Sequence, residues 1–171
     1  MILDLSDIIK DYDGIMPVEC EIDLSDVDFM GENFKFTAPL KVRGTIRNNS
    51  KSLELTAGVS GSMQVHCARC AKPFVTEVSF PVSEILIRED EEFSSDADVI
   101  VFSGHDVDLT DIIVNGFLMN VSGRYLCSED CKGLCPKCGC DLNEGSCDCD
   151  AEDIDPRWAA LADIIKDTTT E

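Results

Sequence analysis

The side chains best suited to chemistry in this sequence are its cysteines, which number 10 among 171 residues. Two residues separate Cys135 from Cys138, so both sulfur atoms can approach one ion, and the following Gly139 permits a tight turn. Zinc prefers four sulfur ligands in a closed tetrahedron. Seven cysteines share this segment: Cys127, Cys131, Cys135, Cys138, Cys140, Cys147 and Cys149. Their spacing predicts a structural zinc site.

A further cysteine pair, Cys67 and Cys70, lies where one strand pattern ends and another begins, which is typical of a hairpin turn. Cys20 belongs to the apolar face of a predicted strand, and Cys140 is the odd thiol of its segment. The eight others match two four-coordinate ions, so we expect one or two structural zinc ions. The expected ligands are Cys135, Cys138, Cys127, Cys131, Cys147 and Cys149, with Cys67 and Cys70 as further candidates whose pairing the sequence leaves open.

Other uses of these thiols remain as alternatives. A redox dithiol of the thioredoxin type needs its cysteines at the start of a helix, whereas the sequence after Cys70 continues into another strand. His66 is a ligand candidate by adjacency, but a solvated strand residue is the favoured interpretation. The sequence contains no phosphate-binding loop, dinucleotide-binding turn or nucleophile elbow. We therefore expect a protein that is not an enzyme and has no small-molecule substrate.

The charge of the chain limits its partners. There are 34 acidic and 14 basic side chains, which give a net charge of −20, and such a charge repels nucleic acid from the molecule as a whole. Apolar residues make up 44%, enough to bury a core. The first residues do not resemble a secretory signal, and no apolar run is long enough to span a bilayer. We expect a cytoplasmic location and no membrane contact.

One stretch reverses the local charge, because no acidic residue occurs between Asn33 and Leu53. Four bases share the odd-numbered face of the predicted strand there and are candidate RNA contacts: Lys35, Lys41, Arg43 and Arg47. With Lys51 they form a basic segment over 35–51. A solvated sheet face with edge-protecting lysines is the favoured alternative, because aromatic residues do not interleave with the bases.

The elements that must position these groups follow from periodicity. Apolar residues alternate over 18–24, 34–46, 53–67 and 74–82, which predicts strands, and short connections predict an antiparallel meander. Pro39 predicts a break or an edge, and Gly58 and Gly61 suggest a bulge or bend. The residues at 1–17 indicate a short edge segment and a helical turn, 89–98 an exposed acidic loop, and 99–102 a short strand.

The period changes after Gly104. Asp108 can cap a helix whose apolar stripe comprises Leu109, Ile112, Ile113, Gly116, Phe117 and Val121. A second helix is predicted after Asp155-Pro156, with Trp158 and Leu161 packing back onto the core. The predicted fold is therefore α+β: an antiparallel β-rich unit at 1–104, followed at 105–171 by a helix, a Cys-rich zinc-bound loop and a C-terminal helix.

Four sequence motifs together resemble a known family. They are VHCARCAKPF, DVDLTDIIVNGFLMNV, CSEDCKGLCPKCGCDLNEGSCDC and DPRWAALADI, which extend from about Met63 to Ile165. They are similar to the bacterial large ribosomal RNA subunit accumulation proteins, the YceD-like family. The matching positions are Cys67, Cys70, Cys127, Cys131, Gly133, Leu134, Cys135, Pro136, Cys138, Gly139, Leu142, Asn143, Cys147, Cys149, Asp155, Pro156 and Arg157.

The resemblance implies a cytoplasmic, non-enzymatic factor needed for accumulation of large-subunit (23S) ribosomal RNA, and hence for ribosome biogenesis. It implies a structural metal at the matching cysteines. Cys140 departs from the pattern, because relatives usually lack a thiol there. From the charge we expect contact with a basic large-subunit ribosomal protein or a pre-ribosomal particle. Direct RNA binding through 35–51 is the first alternative, and thiol redox chemistry is the second.

Overall fold

The computed structural model describes residues 1–24, 26–91 and 98–149. Its elements are β1 (Ile2–Asp4), α1 (Ser6–Lys10), β2 (Ile15–Ile22), β3 (Val27–Phe29), β4 (Glu32–Phe36), β5 (Leu40–Asn48), β6 (Leu53–His66), β7 (Pro73–Arg88), β8 (Ile100–Phe102), β9 (Asp106–Asp108) and α2 (Leu109–Asn120). Antiparallel strands dominate, which agrees broadly with the predicted α+β class. The predicted helix containing Trp158 and Leu161 lies outside the described residues.

Strand β6 is the centre of the main sheet. It pairs with β7 over its whole length, and with β5 and then β4 along its other edge, always antiparallel. Strand β2 pairs with β5, and β3 pairs with β4, so β2 and β3 lie outermost on that side. The predicted meander is confirmed for β5, β6 and β7. Strand β8, expected only as a short strand, pairs parallel with β7.

The predicted alternation determines which face of β6 enters the core, because successive side chains of a strand point to opposite faces. Its buried residues are Leu53, Leu55, Ala57, Val59, Met63 and Val65. A bulge or bend was expected at Gly58 and Gly61, and the uninterrupted register shows that the pairing of β6 with β7 contains no bulge. Gly61 makes room for Leu40, since a Cβ there would collide with Leu40 Cδ2. The break at Pro39 is confirmed between β4 and β5.

Helix α2 covers the apolar face of the sheet, and its predicted cap is present. The Thr110 backbone N–H donates to Asp108 Oδ1 over 2.9 Å. The ring of Phe117 is fully buried and meets Phe34 and Phe36 edge-on, each with ring centroids 5.3 Å apart. At Gly116 a Cβ would lie only 2.8 Å from Val82, so the missing side chain permits this close approach of helix and sheet. Buried residues of the helix are Leu109, Ile112, Ile113, Gly116 and Phe117, in agreement with most of the predicted stripe.

The strands that the periodicity did not predict are three residues long. Strand β3 joins β4 through a two-residue turn, Met30-Gly31, in which both residues have positive φ. Strand β9 pairs with β1, the short edge segment expected near the amino terminus. The helical turn expected there is α1. Neither helix in the described ranges is long and apolar enough to cross a membrane.

Replacing Phe117 with Ala should destabilise the protein by about 3–5 kcal/mol, because it removes a buried ring from the junction of helix and sheet. Urea unfolding measures this loss. Met119→Ala is the control, because Met119 lies on the same helix and is 86% exposed. Equal losses in the two variants would contradict the proposed packing of α2 on the sheet.

Candidate metal centres

The turn between β6 and β7 presents the first two cysteines, as the sequence predicts. The Cys67 backbone N–H donates to the Lys72 carbonyl over 2.9 Å, and the Ala71 N–H donates to the Cys67 carbonyl over 2.8 Å. The Arg69 backbone N–H points at Cys67 Sγ from 3.4 Å. These bonds fold six residues tightly, so that Cys67 and Cys70 are both buried at the end of the hairpin.

The chain returns to this turn after α2 and completes a set of four thiols. The Ala68 N–H donates to the Tyr125 carbonyl over 2.8 Å, which places the following residues beside the hairpin. Cys67, Cys70, Cys127 and Cys131 then have all Sγ atoms within 4.8 Å of one another. Two of these separations are 3.7 and 3.8 Å. A zinc–sulfur bond of about 2.3 Å gives sulfur–sulfur edges of about 3.8 Å in a tetrahedron, so this first cysteine group has the dimensions of a zinc site.

A second cysteine group forms entirely within the Cys-rich segment. Its members are Cys135, Cys138, Cys147 and Cys149, whose Sγ atoms also lie within 4.8 Å of one another. The Gly139 N–H donates to the Cys135 carbonyl over 2.9 Å, and Gly139 has φ +74°. The predicted role of this glycine in the turn is therefore confirmed. Cys135 is buried, Cys138 is exposed and the other two are half-buried, so the second group is closer to solvent than the first.

Direct contacts link the two groups. The Leu134 N–H donates to the Arg69 carbonyl over 3.0 Å. Gly133, at φ +79°, lies so close to this carbonyl that a Cβ would be 2.9 Å from its oxygen. Asn143, which lies between Cys138 and Cys147 in the sequence, donates from Nδ2 to Cys131 Sγ over 3.5 Å. Lys72 Nζ lies 2.8 Å from Asp141 Oδ2. Contacts of Leu134, Asn143 and Asp141 thus attach the Cys-rich segment to the first group and its turn.

Without a cation the thiols of each group divide their protons unequally. Hydrogen bonds from backbone N–H groups, first that of Cys127, lower the pKa of Cys67 to about 6, and those of Cys138 and Lys137 lower the pKa of Cys135 to about 6. Hydrogen bonding to Cys67 and then Cys131 raises the pKa of Cys127 to about 12. Four thiolates this close repel one another strongly, and a divalent cation relieves that repulsion. An all-sulfur donor set of this size fits zinc.

Neither the candidate ligand His66 nor Cys20, which the sequence assigns to the apolar face of a strand, joins a group. His66 Nδ1 lies 3.2 Å from Glu32 Oε1, and the side chain is 54% exposed, as the favoured interpretation expects. Cys20 is half-buried against the core. Cys140 lies beside the second group: hydrogen bonding to Cys138, followed by burial and bonding to Cys147, raises its pKa to about 12. The spacing of the cysteines did not predict that Cys140 lies beside the four thiols of this group.

The candidate RNA contacts all lie on the exposed face of the sheet: Lys35 on β4, and Lys41, Arg43 and Arg47 on β5. Acidic residues occupy neighbouring positions on that face. Arg43 forms a 3.0 Å ion pair with Glu19. Glu21 lies directly across from Lys41, and Glu54 lies directly across from Arg47. Because each base on β5 faces a carboxylate, the strip does not form a continuous positive surface.

The profile of a family described as large ribosomal RNA subunit accumulation protein YceD matches residues 55–165, which is more than half of the chain and includes both cysteine groups. The resemblance inferred from the cysteine motifs is thereby confirmed. No solved structure matches the chain.

Individual relatives differ in how much of the chain they share. The protein YlbN of Bacillus subtilis (strain 168) is 26% identical over 148 residues, 85% of each chain. Protein Mb2951c of Mycobacterium bovis is 28% identical over 123 residues, 70% of this chain and 59% of its own. The chloroplastic large ribosomal RNA subunit accumulation protein YCED homolog 1 of Arabidopsis thaliana is 30% identical over 59 residues, 34% of this chain and 18% of its own.

Elemental analysis of the protein purified under reducing conditions should find two zinc ions per chain, one for each group of four thiols. Cys67→Ser and Cys135→Ser should each lower the content to one ion, because each removes a ligand from a different group. Cys20→Ser is the matched control, since Cys20 belongs to neither group, and it should retain both ions. Two ions in all three variants would contradict the assignment of ligands.

Proposed function

The chain belongs to the YceD family of large ribosomal RNA subunit accumulation proteins, and from this membership we propose that it acts in ribosome biogenesis. In this proposal it supports accumulation of large-subunit (23S) ribosomal RNA and assembly of the large subunit. The observation that carries the proposal is the match over residues 55–165, which includes all eight thiols of the two cysteine groups. In a bacterium this work takes place in the cytoplasm, and we propose that location for the chain.

We propose further that the protein works by contact with a basic ribosomal protein or an assembly intermediate. Its net charge is −20. Between Lys10 and Lys35 the chain has eight acidic side chains and no basic one. A field of this sign speeds the encounter with a basic protein and opposes contact with bare phosphate. No catalytic motif in the sequence calls for a reaction, so the proposed factor is not an enzyme and has no small-molecule substrate.

In this proposal the two cysteine groups have a structural role. Zinc, if bound, would be held by Cys67, Cys70, Cys127 and Cys131 in one site, and by Cys135, Cys138, Cys147 and Cys149 in the other. Four protein ligands leave no open coordination position, which is the arrangement of structural sites. Bound zinc would neutralise part of the thiolate charge and supply folding energy to the Cys-rich segment.

Direct RNA binding is a second candidate, supported by the four bases that share one exposed face. The carboxylates facing three of them reduce this support. Thiol redox chemistry has less support, because the thiols whose pKa falls to about 6, Cys67 and Cys135, are only 3% and 6% exposed.

Depletion of the protein in its own host should lower the amount of large-subunit particles and of mature large-subunit RNA. Sucrose-gradient profiles and RNA blots measure both quantities, and the small subunit is the internal control. The defect should be restored by the wild-type gene. Unchanged large-subunit and precursor levels after depletion would refute the proposed function.

Charge reversal at Lys41 and Arg43 tests the RNA alternative. If the exposed bases hold phosphate, the double variant Lys41→Glu/Arg43→Glu should lose RNA retention, and retention by the wild type should weaken steeply with added salt. Filter binding with ribosomal RNA fragments measures this. The control is Lys10→Glu/Lys132→Glu, which changes the net charge equally at exposed residues that are not among the four bases. Absence of retention by the wild type at low salt would eliminate this alternative.

A further inference from the structure

The second cysteine group has a fifth thiol beside it, that of Cys140. Hydrogen bonding links Cys140 to Cys138 and Cys147, which are both members of the group. Cys140 is half-buried, as Cys147 is. A tetrahedral zinc ion accepts four ligands, so this part of the chain presents one thiol more than a single ion can bind.

Backbone hydrogen bonds hold Cys140 in this position. Leu134 and Asp141 form an antiparallel bridge, and the Cys135 N–H donates to the Cys140 carbonyl over 2.8 Å. Cys135 and Cys140 therefore lie opposite each other, one position inside the bridge. Residues opposite each other in an antiparallel pair project their side chains to the same face. Since the thiol of Cys135 belongs to the second group, the thiol of Cys140 lies on the side where the group forms.

The contacts of Cys140 indicate which ligand it can replace. Its own backbone N–H donates to Cys138 Sγ, and this bond holds Cys138 in place as a ligand. Cys147 is the other thiol that Cys140 contacts, and residues 145–149 belong to neither a helix nor a strand. If Cys140 binds in place of Cys147, the turn that brings Cys135 and Cys138 together is unchanged. Cys147 is therefore the ligand for which Cys140 can substitute.

We propose that Cys140 is an alternative zinc ligand of the second group and exchanges with Cys147. Cys135, Cys138 and Cys149 bind the ion in both arrangements, and the fourth sulfur comes from one of the two exchanging residues. The incoming thiol gives up a proton and the released thiolate takes one up, so the charge of the site and the number of zinc–sulfur bonds stay the same. This inference goes beyond the proposed function, because it concerns how the metal centre itself is held.

Elemental analysis of the full-length protein, purified with zinc under reducing conditions, tests the proposal. Cys147→Ser should retain two ions per chain, because Cys140 completes the second site, and Cys140→Ser should retain two as well. The double variant Cys140→Ser/Cys147→Ser should release the second ion to a competing chelator at least about tenfold more readily than either single variant. The ion of the first group is the internal control, since its retention shows that the variant is folded.

Loading with cobalt(II) counts the sulfur ligands independently of the zinc content. The sulfur-to-cobalt charge-transfer absorption increases with the number of cobalt–sulfur bonds. Per bound ion, the wild type and the variants Cys140→Ser and Cys147→Ser should absorb equally, whereas the double variant should absorb less. Cys149→Ser is the matched control, because Cys149 is a half-buried member of the same group that Cys140 does not replace in this proposal. It should absorb less than Cys147→Ser.

Three results would overturn the inference. Equal loss of zinc and of absorption in Cys147→Ser and Cys149→Ser would mean that Cys140 does not supply the missing sulfur. Full zinc retention and full absorption in the double variant would mean that neither exchanging thiol is a ligand. Absence of zinc from the second group of the wild type would refute the metal centre itself. None of these results bears on the role in ribosome biogenesis, which depletion of the protein tests.

Discussion

Repulsion among closely spaced thiolates is the constraint on which the Cys-rich segment depends. Sulfur atoms within 4.8 Å of one another cannot all be ionised without a compensating cation. Hydrogen bonding to Cys67 and Cys131 accordingly raises the pKa of the Cys127 thiol to about 12. The segment also has little apolar material to hold it together. Between Leu126 and Cys149 the buried residues are Cys131, Gly133 and Cys135. Metal–sulfur bonds would therefore take the place that a hydrophobic core has elsewhere in the chain.

The sheet determines where that segment attaches. Strands β6 and β7 form one long hairpin whose turn projects the first two thiols, and α2 packs across the sheet so that the chain returns to the same end. Tyr125 connects the two parts, since its carbonyl binds the turn and its ring lies edge-on to Phe34. The hydrophobic core and the cysteine groups are thus consecutive parts of one framework. Phe117 is thus linked through the rings of Phe34 and Tyr125 to the turn that holds Cys67 and Cys70.

Periodicity and spacing predicted most of the strands, the cap at Asp108 and the eight thiols that the structure gathers, because each depends on local rules. The pairing of Cys67 and Cys70 with Cys127 and Cys131 depends on the return of the chain after α2, which no local pattern contains. Strands β3 and β9 were missed because three residues are too few to establish alternation. The sequence suggested a bulge or bend at Gly61, but the β6–β7 pairing has no bulge there, and the glycine instead permits the close approach of Leu40. The parallel pairing of β8 with β7 likewise depends on the tertiary arrangement of the strands, which local sequence patterns do not contain.

The order of the cysteines along the chain has a kinetic consequence. The first group joins Cys67 to Cys131, which are 64 positions apart, whereas the second lies entirely between Cys135 and Cys149. During synthesis Cys67 and Cys70 are made before Cys127 and Cys131, so the group at first lacks two of its four thiols. Closing so large a loop is slow compared with local contacts. All four thiols of the first group nevertheless precede Cys135 in the chain, so the order of synthesis gives this slower closure the earlier start.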